Sequence, residues 1–438
     1  MNVPFICLIL FSLNFYAFKS SAQSDNPFFK FMGANCHIGL LNQYNKEILP
    51  ASFTNITIAP VGNNWLISAA VKNHYSYHFQ IENELIKLPY NHVEILNDRL
   101  LKVGSPGAYG IINTTGAGVL LMNYENILPA GTEFAITLYK KLYGCVDLDG
   151  NSVIPNQYDL LLHWQAAGFW AYKYSQFHLI DHNGMSVLGL KYDKVLIPDV
   201  DLPICGVAKN GQWGAVNQQN ELVLNIDYDE IMILDMGVVA VKDRELKWKL
   251  TDLNGKLKNK EEYDAIVGLG NKGIVVTKDG KKGLLDYQAK SLIDVKYDDL
   301  QYLGNNWVSV NNNKEVLIYS IKENKFLDFI FEDIKTTDYT QRWEGVLIKK
   351  DSKWGWLDFN MNLKIKPIYT NVRLNYTNII IVENENKKIG ILDKNGDVVI
   401  PDEYTEIVPQ NEYFKVKKEG TDWYYVNKKN KKVNCQVF

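Results

Sequence analysis

His74 and His78 stand on one face of the alternating run NHYSYHF, and His92 follows a little further on; these are the residue types that ligate zinc. A zinc site needs three or four converging donors with a supporting shell, and nothing else in the sequence demands one, so ordinary partly buried histidines are the reading here. His178 and His182, beside a turn, add no more. DLDGN, Asp147 to Asn151, starts like a calcium loop, but its twelfth position is Tyr158 where a bidentate Glu belongs. GLGNKG, Gly268 to Gly273, has phosphate-loop spacing, yet IVVTKDG follows it, a strand and not the helix whose free N–H groups would hold a pyrophosphate. The carboxylate clusters YDE, YDD, FED and KEEYD recur at a fixed register, as structural elements do. No G-x-S-x-G elbow is present. The expectation is therefore a protein without metal or cofactor and without a catalytic residue set.

What positions these residues is a repeat. An Asp or Asn following two hydrophobes falls at Asn113, Asp147, Asp181, Asn217, Asp252, Asp286, Asp358, Asp393 and Asn427, with Tyr319 at the matching place between the sixth and seventh. Successive anchors are spaced roughly 35 residues apart, a period typical of repeat architectures. Asn42 extends the series upstream. An aromatic stands at one constant offset after most anchors, at Tyr124, Tyr158, Tyr192, Tyr228, Tyr263, Tyr297, Tyr369 and Tyr404. A little before the anchor, again at a constant place, stands glycine, at Gly39, Gly110, Gly144, Gly214, Gly283, Gly355 and Gly390, preceded by an aromatic at Tyr109, Tyr143, Trp213 and Trp354. Trp248 and Trp423 mark the same region of two copies without that glycine.

The copies KWGWLDFNMNLKIKPIYTNV, QWGAVNQQNELVLNIDYDEI, YGCVDLDGNSVIPNQYDLL and KIGILDKNGDVVIPDEYTEI resemble WG repeats, also called KWG repeats. That resemblance implies a β-rich bacterial repeat protein and assigns no activity. Read from the residues, each unit is three short strands: the signature strand, a second strand such as VIP, and an alternating third strand such as GVVAVK or GIVVTK. Turn glycines at Gly150, Gly184, Gly255 and Gly396 supply positive φ, and the anchor carboxylate accepts backbone N–H groups there. Pro155, Pro367 and Pro401 point to a strand end or an unpaired edge. The expected fold is all-β, with about twelve three-stranded meanders stacked in an elongated or curved superhelical array; a closed β-propeller is the alternative. Glycine beside tryptophan leaves room for a neighbouring backbone or a bulge, and the tryptophan supplies shared buried area.

The first residues, with an apolar run from Val3 to about Phe18 and then Ser20, Ser21 and Ala22, read as a signal peptide cleaved after Ala22. Residues 23–106 are divergent repeats and 107–438 regular ones. Cys36, Cys145, Cys205 and Cys435 show no metal or redox spacing, and buried free thiols are preferred to disulfides. A net charge of −3 gives no reason to expect nucleic acid, and membrane contact is expected only through the export signal. Trp65, Trp170, Trp307 and Trp343 fall outside the signature position and are weighed as ligand-facing rings, with core packing the preferred reading. The expected function is non-catalytic: an exported protein of the periplasm, cell surface or exterior, presenting its repeats to a protein or glycan. A polysaccharide-acting enzyme with its site in the N-terminal third, or a plain spacer, are the competing readings.

Overall fold

Runs such as Val238–Lys242 and Ile379–Glu383 are rich in β-branched residues, and they form strands because such side chains pack on a pleated surface. The computed structural model describes residues 26–33, 37–72, 74–81, 84–199, 201–244, 246–313, 315–336, 344–374, 379–410 and 413–433. The expected leader over residues 1–22, Cys36, Cys435 and Trp343 lie outside them. Among the described residues the only helical element is one 3-10 turn, Asp235–Gly237, and no helix is long and apolar enough to cross a membrane.

The strands form twelve small antiparallel sheets in chain order: sheet 1 (28–53), sheet 2 (55–88), sheet 3 (92–124), sheet 4 (126–158), sheet 5 (160–180), sheet 6 (194–228), sheet 7 (230–252), sheet 8 (265–297), sheet 9 (299–331), sheet 10 (333–369), sheet 11 (371–404) and sheet 12 (406–433). Sheets 1, 5 and 7 have three strands and the other nine have four. The all-β class stands, but the three-stranded unit is corrected: each sheet is a meander of the propeller-blade type, the form of the alternative. The strand missing from the sequence reading follows the landmark tyrosine at once, as in Glu230–Leu234 or Asn371–Leu374. Sheets break at that tyrosine. Sheets 4, 6, 8, 10 and 11 end on Tyr158, Tyr228, Tyr297, Tyr369 and Tyr404, and the next sheet starts after a single intervening residue.

The landmarks are cross-strand partners. Trp213 pairs with Tyr228, Trp354 with Tyr369, Lys282 with Tyr297, Ile389 with Tyr404, and Trp248 bridges to Tyr263. Just beyond each of the first four pairs the last strand bulges: between Trp213–Tyr228 and Ala215–Leu224, two steps on one strand face four on the other. The bulge pushes a carbonyl against the signature glycine, where a Cβ would lie 2.6 Å from the Leu224 oxygen at Gly214, 2.7 Å from that of Ile293 at Gly283, and 2.5 Å from that of Ile365 at Gly355. At Gly390 it would lie 2.8 Å from the Asp402 backbone. Pro155, Pro367 and Pro401 sit in strands at a sheet edge, where no ladder N–H is required of them.

The chain divides into two compact units, residues 1–141 with 145–152, and residues 142–144 with 153–438. Within the second unit the hydrophobic clusters are shared by successive sheets: Leu234, Leu250, Ile266 and Val276 join sheets 7 and 8, and Trp356, Ile365, Ile380 and Leu392 join sheets 10 and 11. A single sheet thus leaves one face uncovered unless its neighbour packs on it. The turn glycine of sheet 11, Gly396, sits so close to sheet 10 that a Cβ would lie 2.3 Å from the Lys364 carbonyl oxygen.

The share of the core held by signature tryptophans is smaller than expected. Trp248 is buried, but Trp213, Trp354 and Trp423 are half-buried. Lysines cover two of these rings: Lys335 Nζ is 4.3 Å from the Trp354 centroid and Lys415 Nζ 5.2 Å from that of Trp423, a favourable placement for a cation over an aromatic face. The largest fully buried side chains are Trp164, Trp170 and Trp356, each contributing about 3 kcal/mol. Of the landmark tyrosines, Tyr192, Tyr263, Tyr297 and Tyr404 are buried and Tyr158, Tyr228 and Tyr369 half-buried.

Candidate functional site

Most polar residues that recur with the repeat are consumed by the fold. At each Asp or Asn anchor, Oδ1 accepts from two backbone N–H groups of the following turn. The distances are 3.0 and 2.7 Å to Asn360 and Asn362 at Asp358. They are 2.9 and 2.8 Å to Asp149 and Asn151 at Asp147, and 3.0 and 2.9 Å to Gln219 and Glu221 at Asn217. The start of a calcium loop in DLDGN is this turn. The Asp after the landmark tyrosine closes another: Asp264 accepts from Asp279 N–H at 2.7 Å and pairs with Lys247 of the preceding copy. Asp298 repeats the arrangement with Asn313 N–H at 3.1 Å and Lys281 Nζ at 2.5 Å. Those carboxylate clusters are therefore joints between sheets. GLGNKG is the turn between Ala265–Gly268 and Ile274–Lys278, where the Tyr287 hydroxyl donates to the Gly270 carbonyl.

The rings weighed as ligand-facing are core residues where described. Trp65, Trp170 and Trp307 are 7%, 0% and 5% exposed, so the preferred core reading applies to these three. Trp170 stacks on Trp164 at 6.1 Å and meets Tyr192 edge-on at 5.9 Å.

His74 and His78 do not converge, whereas the His163 and His182 ring centroids lie 6.0 Å apart. His74 and His78 are four residues apart on one strand, about 13 Å at ~3.3 Å per residue. Among the described residues no group of three or more His, Cys, Asp or Glu could hold a metal ion. His74, Ser76, His78 and Lys87 instead edge a shallow depression of about 360 Å³ floored by Leu49, Phe53 and Ala69. The Ser76 Oγ lies 3.3 Å from His78 Nε2, and burial, with Lys87 adding to it, holds His78 below the ordinary histidine value.

His92 belongs to a more organised cluster, in the first unit. Three adjacent strands of sheet 3, His92–Ile95, Leu100–Ser105 and Ala108–Asn113, put Glu94 opposite Lys102 and both His92 and Tyr109 opposite Gly104. Lys102 Nζ donates to Glu94 Oε2 at 3.0 Å and to Asn126 Oδ1 at 2.8 Å, and lies 4.4 Å from the Tyr109 ring centroid. His92 Nε2 is 3.4 Å from the same Glu94 oxygen, and its ring meets that of Tyr109 edge-on at 5.3 Å. Lys102 is 5% exposed, whereas the Glu94 and His92 side chains are 47% and 37% exposed. A buried ammonium is thus held beneath an accessible carboxylate and imidazole. Glycoside hydrolysis uses two carboxylates across the bond, and this cluster supplies one, Glu94.

Lys102, Glu94, Tyr109 and Asn126 are not legible as a site from motifs. The available signal is register. In the second strand, the residue opposite the one after the signature glycine is Gly206, Val275, Leu347 or Ile381 in four other sheets, and Lys102 in LLKVGS.

Tandem antiparallel sheets joined by shared cores define an all-β repeat protein. Residues 213–245 and 389–421 match the family described as WG containing repeat, so the chain carries WG-containing repeats. No curated protein matches it. Among solved structures it is similar to a eukaryotic initiation factor, with a TM-score of 0.34 and 12% identity over 92% of this chain and 99% of that one. It is also similar to Hsv2 of Kluyveromyces lactis, with a TM-score of 0.30 and 10% identity over 53% and 95%. A third is PorZ, a bacterial surface component of the type-IX secretion system of Porphyromonas gingivalis, with a TM-score of 0.22 and 10% identity over 93% and 73%. None of these likenesses is strong enough to carry function across.

Proposed function

We propose that the protein is a non-catalytic binding scaffold of the bacterial cell envelope, exported through its N-terminal leader and presenting its repeat surface to a protein or glycan partner. Lys102 carries this reading. Burying an ammonium group costs several kcal/mol in desolvation, and an apolar residue often serves stability as well or better. Three of the four other sheets compared place Val275, Leu347 and Ile381 at this register and the fourth a glycine, so a lysine kept there beside two accessible polar side chains breaks the local rule where a binding role would explain it. The rest of the frame favours the same reading. Its recurring polar groups are tied into turns and joints, while its hairpin tips differ from copy to copy: Lys140–Lys141, Tyr174–Ser175, Asn210–Gly211, Asp279–Gly280 and Asp351–Ser352. Loops that vary over a constant frame are where repeat proteins place recognition.

The test is affinity capture from a bacterial envelope extract with the wild-type protein and a Lys102→Met variant side by side. A species retained by the wild type and lost from the variant is the expected result. Equal retention by both removes the site from the proposal, and retention by neither removes the binding function.

A further inference from the structure

We infer that the His92, Glu94, Lys102 and Tyr109 cluster is a site for a neutral sugar, an inference that rests on the binding reading above. Charge comes first. The Lys102 ammonium is already matched by Glu94 at 3.0 Å and Asn126 at 2.8 Å. A cationic ligand would draw Glu94 away and leave the buried Lys102 without its counter-charge, a strongly unfavourable exchange, while an anionic one would meet the exposed Glu94 carboxylate before it reached Lys102. A polyhydroxyl ligand needs no such exchange.

Hydrogen bonding comes second. Both side-chain contacts of Glu94 fall on Oε2, which leaves Oε1, on a side chain 47% exposed, to accept from a ligand hydroxyl. A hydroxyl donating to a carboxylate makes a shorter and stronger bond than it makes with a neutral acceptor. Lys102 fixes that carboxylate from below and is a positioning residue. His92, 37% exposed, offers its Nδ1 beside it.

Shape comes third. Gly104 lies opposite His92 on one side and Tyr109 on the other, and with no side chain between them the two rings meet at 5.3 Å. Its φ is 135°, and a Cβ there would lie 2.3 Å from the Ala108 carbonyl oxygen. Only glycine tolerates both conditions. The joined rings form an aromatic wall next to a fixed acceptor, and a sugar ring has the matching parts: an apolar C–H face and hydroxyls at its edge.

The experiment is isothermal titration of the purified protein with maltohexaose, cellohexaose and chitohexaose, and with hexagalacturonate as the acidic comparison. Saturable binding of at least one neutral oligosaccharide is expected, weakened about tenfold or more by Glu94→Ala and by Lys102→Met. Lys102→Met is expected to change the denaturation midpoint little, because it removes a buried charge while Glu94, 47% exposed, can turn to water. A lowered midpoint with unchanged sugar affinity would make the cluster structural only and overturn the inference. Preferential binding of hexagalacturonate, lost in Glu94→Ala, would overturn the neutral class while leaving the binding reading intact. No binding of any oligosaccharide, with envelope capture still lost in Lys102→Met, would also overturn the sugar and keep the reading. No binding together with equal envelope capture would overturn both.

Discussion

Trp354 lies directly across the ladder from Tyr369, and the bulge that follows this pair brings the Ile365 carbonyl oxygen to within 2.5 Å of where a Gly355 Cβ would be. Three repeat landmarks, the adjacent Trp354 and Gly355 and the more distant Tyr369, therefore report one local geometry. The aromatic pair sets the register, the extra residues of the last strand bend it, and glycine accepts the bend.

Gly355→Ala is expected to destabilise the protein by about 1–3 kcal/mol, since the clash is with backbone and cannot be relieved by a rotamer change. Gly118→Ala is the control, because a Cβ there meets nothing within 4 Å. Denaturant midpoints of the two variants against wild type give the comparison, and equal midpoints would contradict the role assigned to the bulge.

Met361 occupies the turn position held by Gly150, Gly184, Gly255 and Gly396, with φ of 65°. Ser352 likewise holds, at φ of 62°, the hairpin place of Gly211 and Gly280. Left-handed backbone costs a side-chain-bearing residue about 1–2 kcal/mol, partly offset by the greater freedom glycine has when unfolded. Met361→Gly and Ser352→Gly should each raise the denaturation midpoint, by about 0.5–1 kcal/mol of stability. Thermal and denaturant melts check the sign.

Acid should act in two stages. Burial pushes the His163 imidazole down to about 4 from its ordinary 6.5, with His182 adding to the fall and Asp201 opposing it. The stability tied to the neutral ring is complete above the ordinary value and is lost as pH falls from 6.5 towards 4. Asp264 and Asp298 are held below the ordinary carboxylate value first by Lys247 and Lys281, so their contribution is lost only at lower pH, below about 3.8. Denaturant midpoints across that range should flatten in the upper stage for His163→Phe, and in the lower stage for Asp264→Asn with Asp298→Asn.

Cys145 and Cys205 are free and 0% exposed, and burial pushes both thiols up to about 12, with Asp147 adding to the rise at Cys145. Maleimide labelling followed by peptide mass spectrometry should leave both unmodified in the folded protein and modify both in denaturant. Ready labelling of either one under native conditions would contradict its placement.

Much of this architecture is legible in the order of residues alone, because a bulge, an Asx turn and a cross-strand pair each demand a residue type at a fixed place. Gly355, Asp358 and Tyr369 are such demands. The fourth strand escapes sequence reading because runs such as NVRL and EIVPQ are short and mixed in character, and because the signature, from which the unit is counted, lies in the middle of a sheet and not at its start. Sequence gives Trp354 too large a share of the core, since it does not show that a lysine lies over this ring while Trp356, two residues on, is enclosed. The Lys102 cluster is invisible to motif reading for another reason. His92 and Glu94 come from one strand, Lys102 from the next and Asn126 from the following sheet, and only strand pairing brings them together.

The one-residue junction after the landmark tyrosine tells an experimenter where this molecule can be cut. Ending the polypeptide at Phe331 or Tyr369 finishes a meander, whereas ending it at Asp358 strips an outer strand and bares the ladder edge of Lys353–Asp358 to solvent and to other chains. Both cuts bare the face that the next sheet would cover, but only the second also bares a ladder edge, so forms trimmed there should clump more readily than those trimmed at the first kind of boundary.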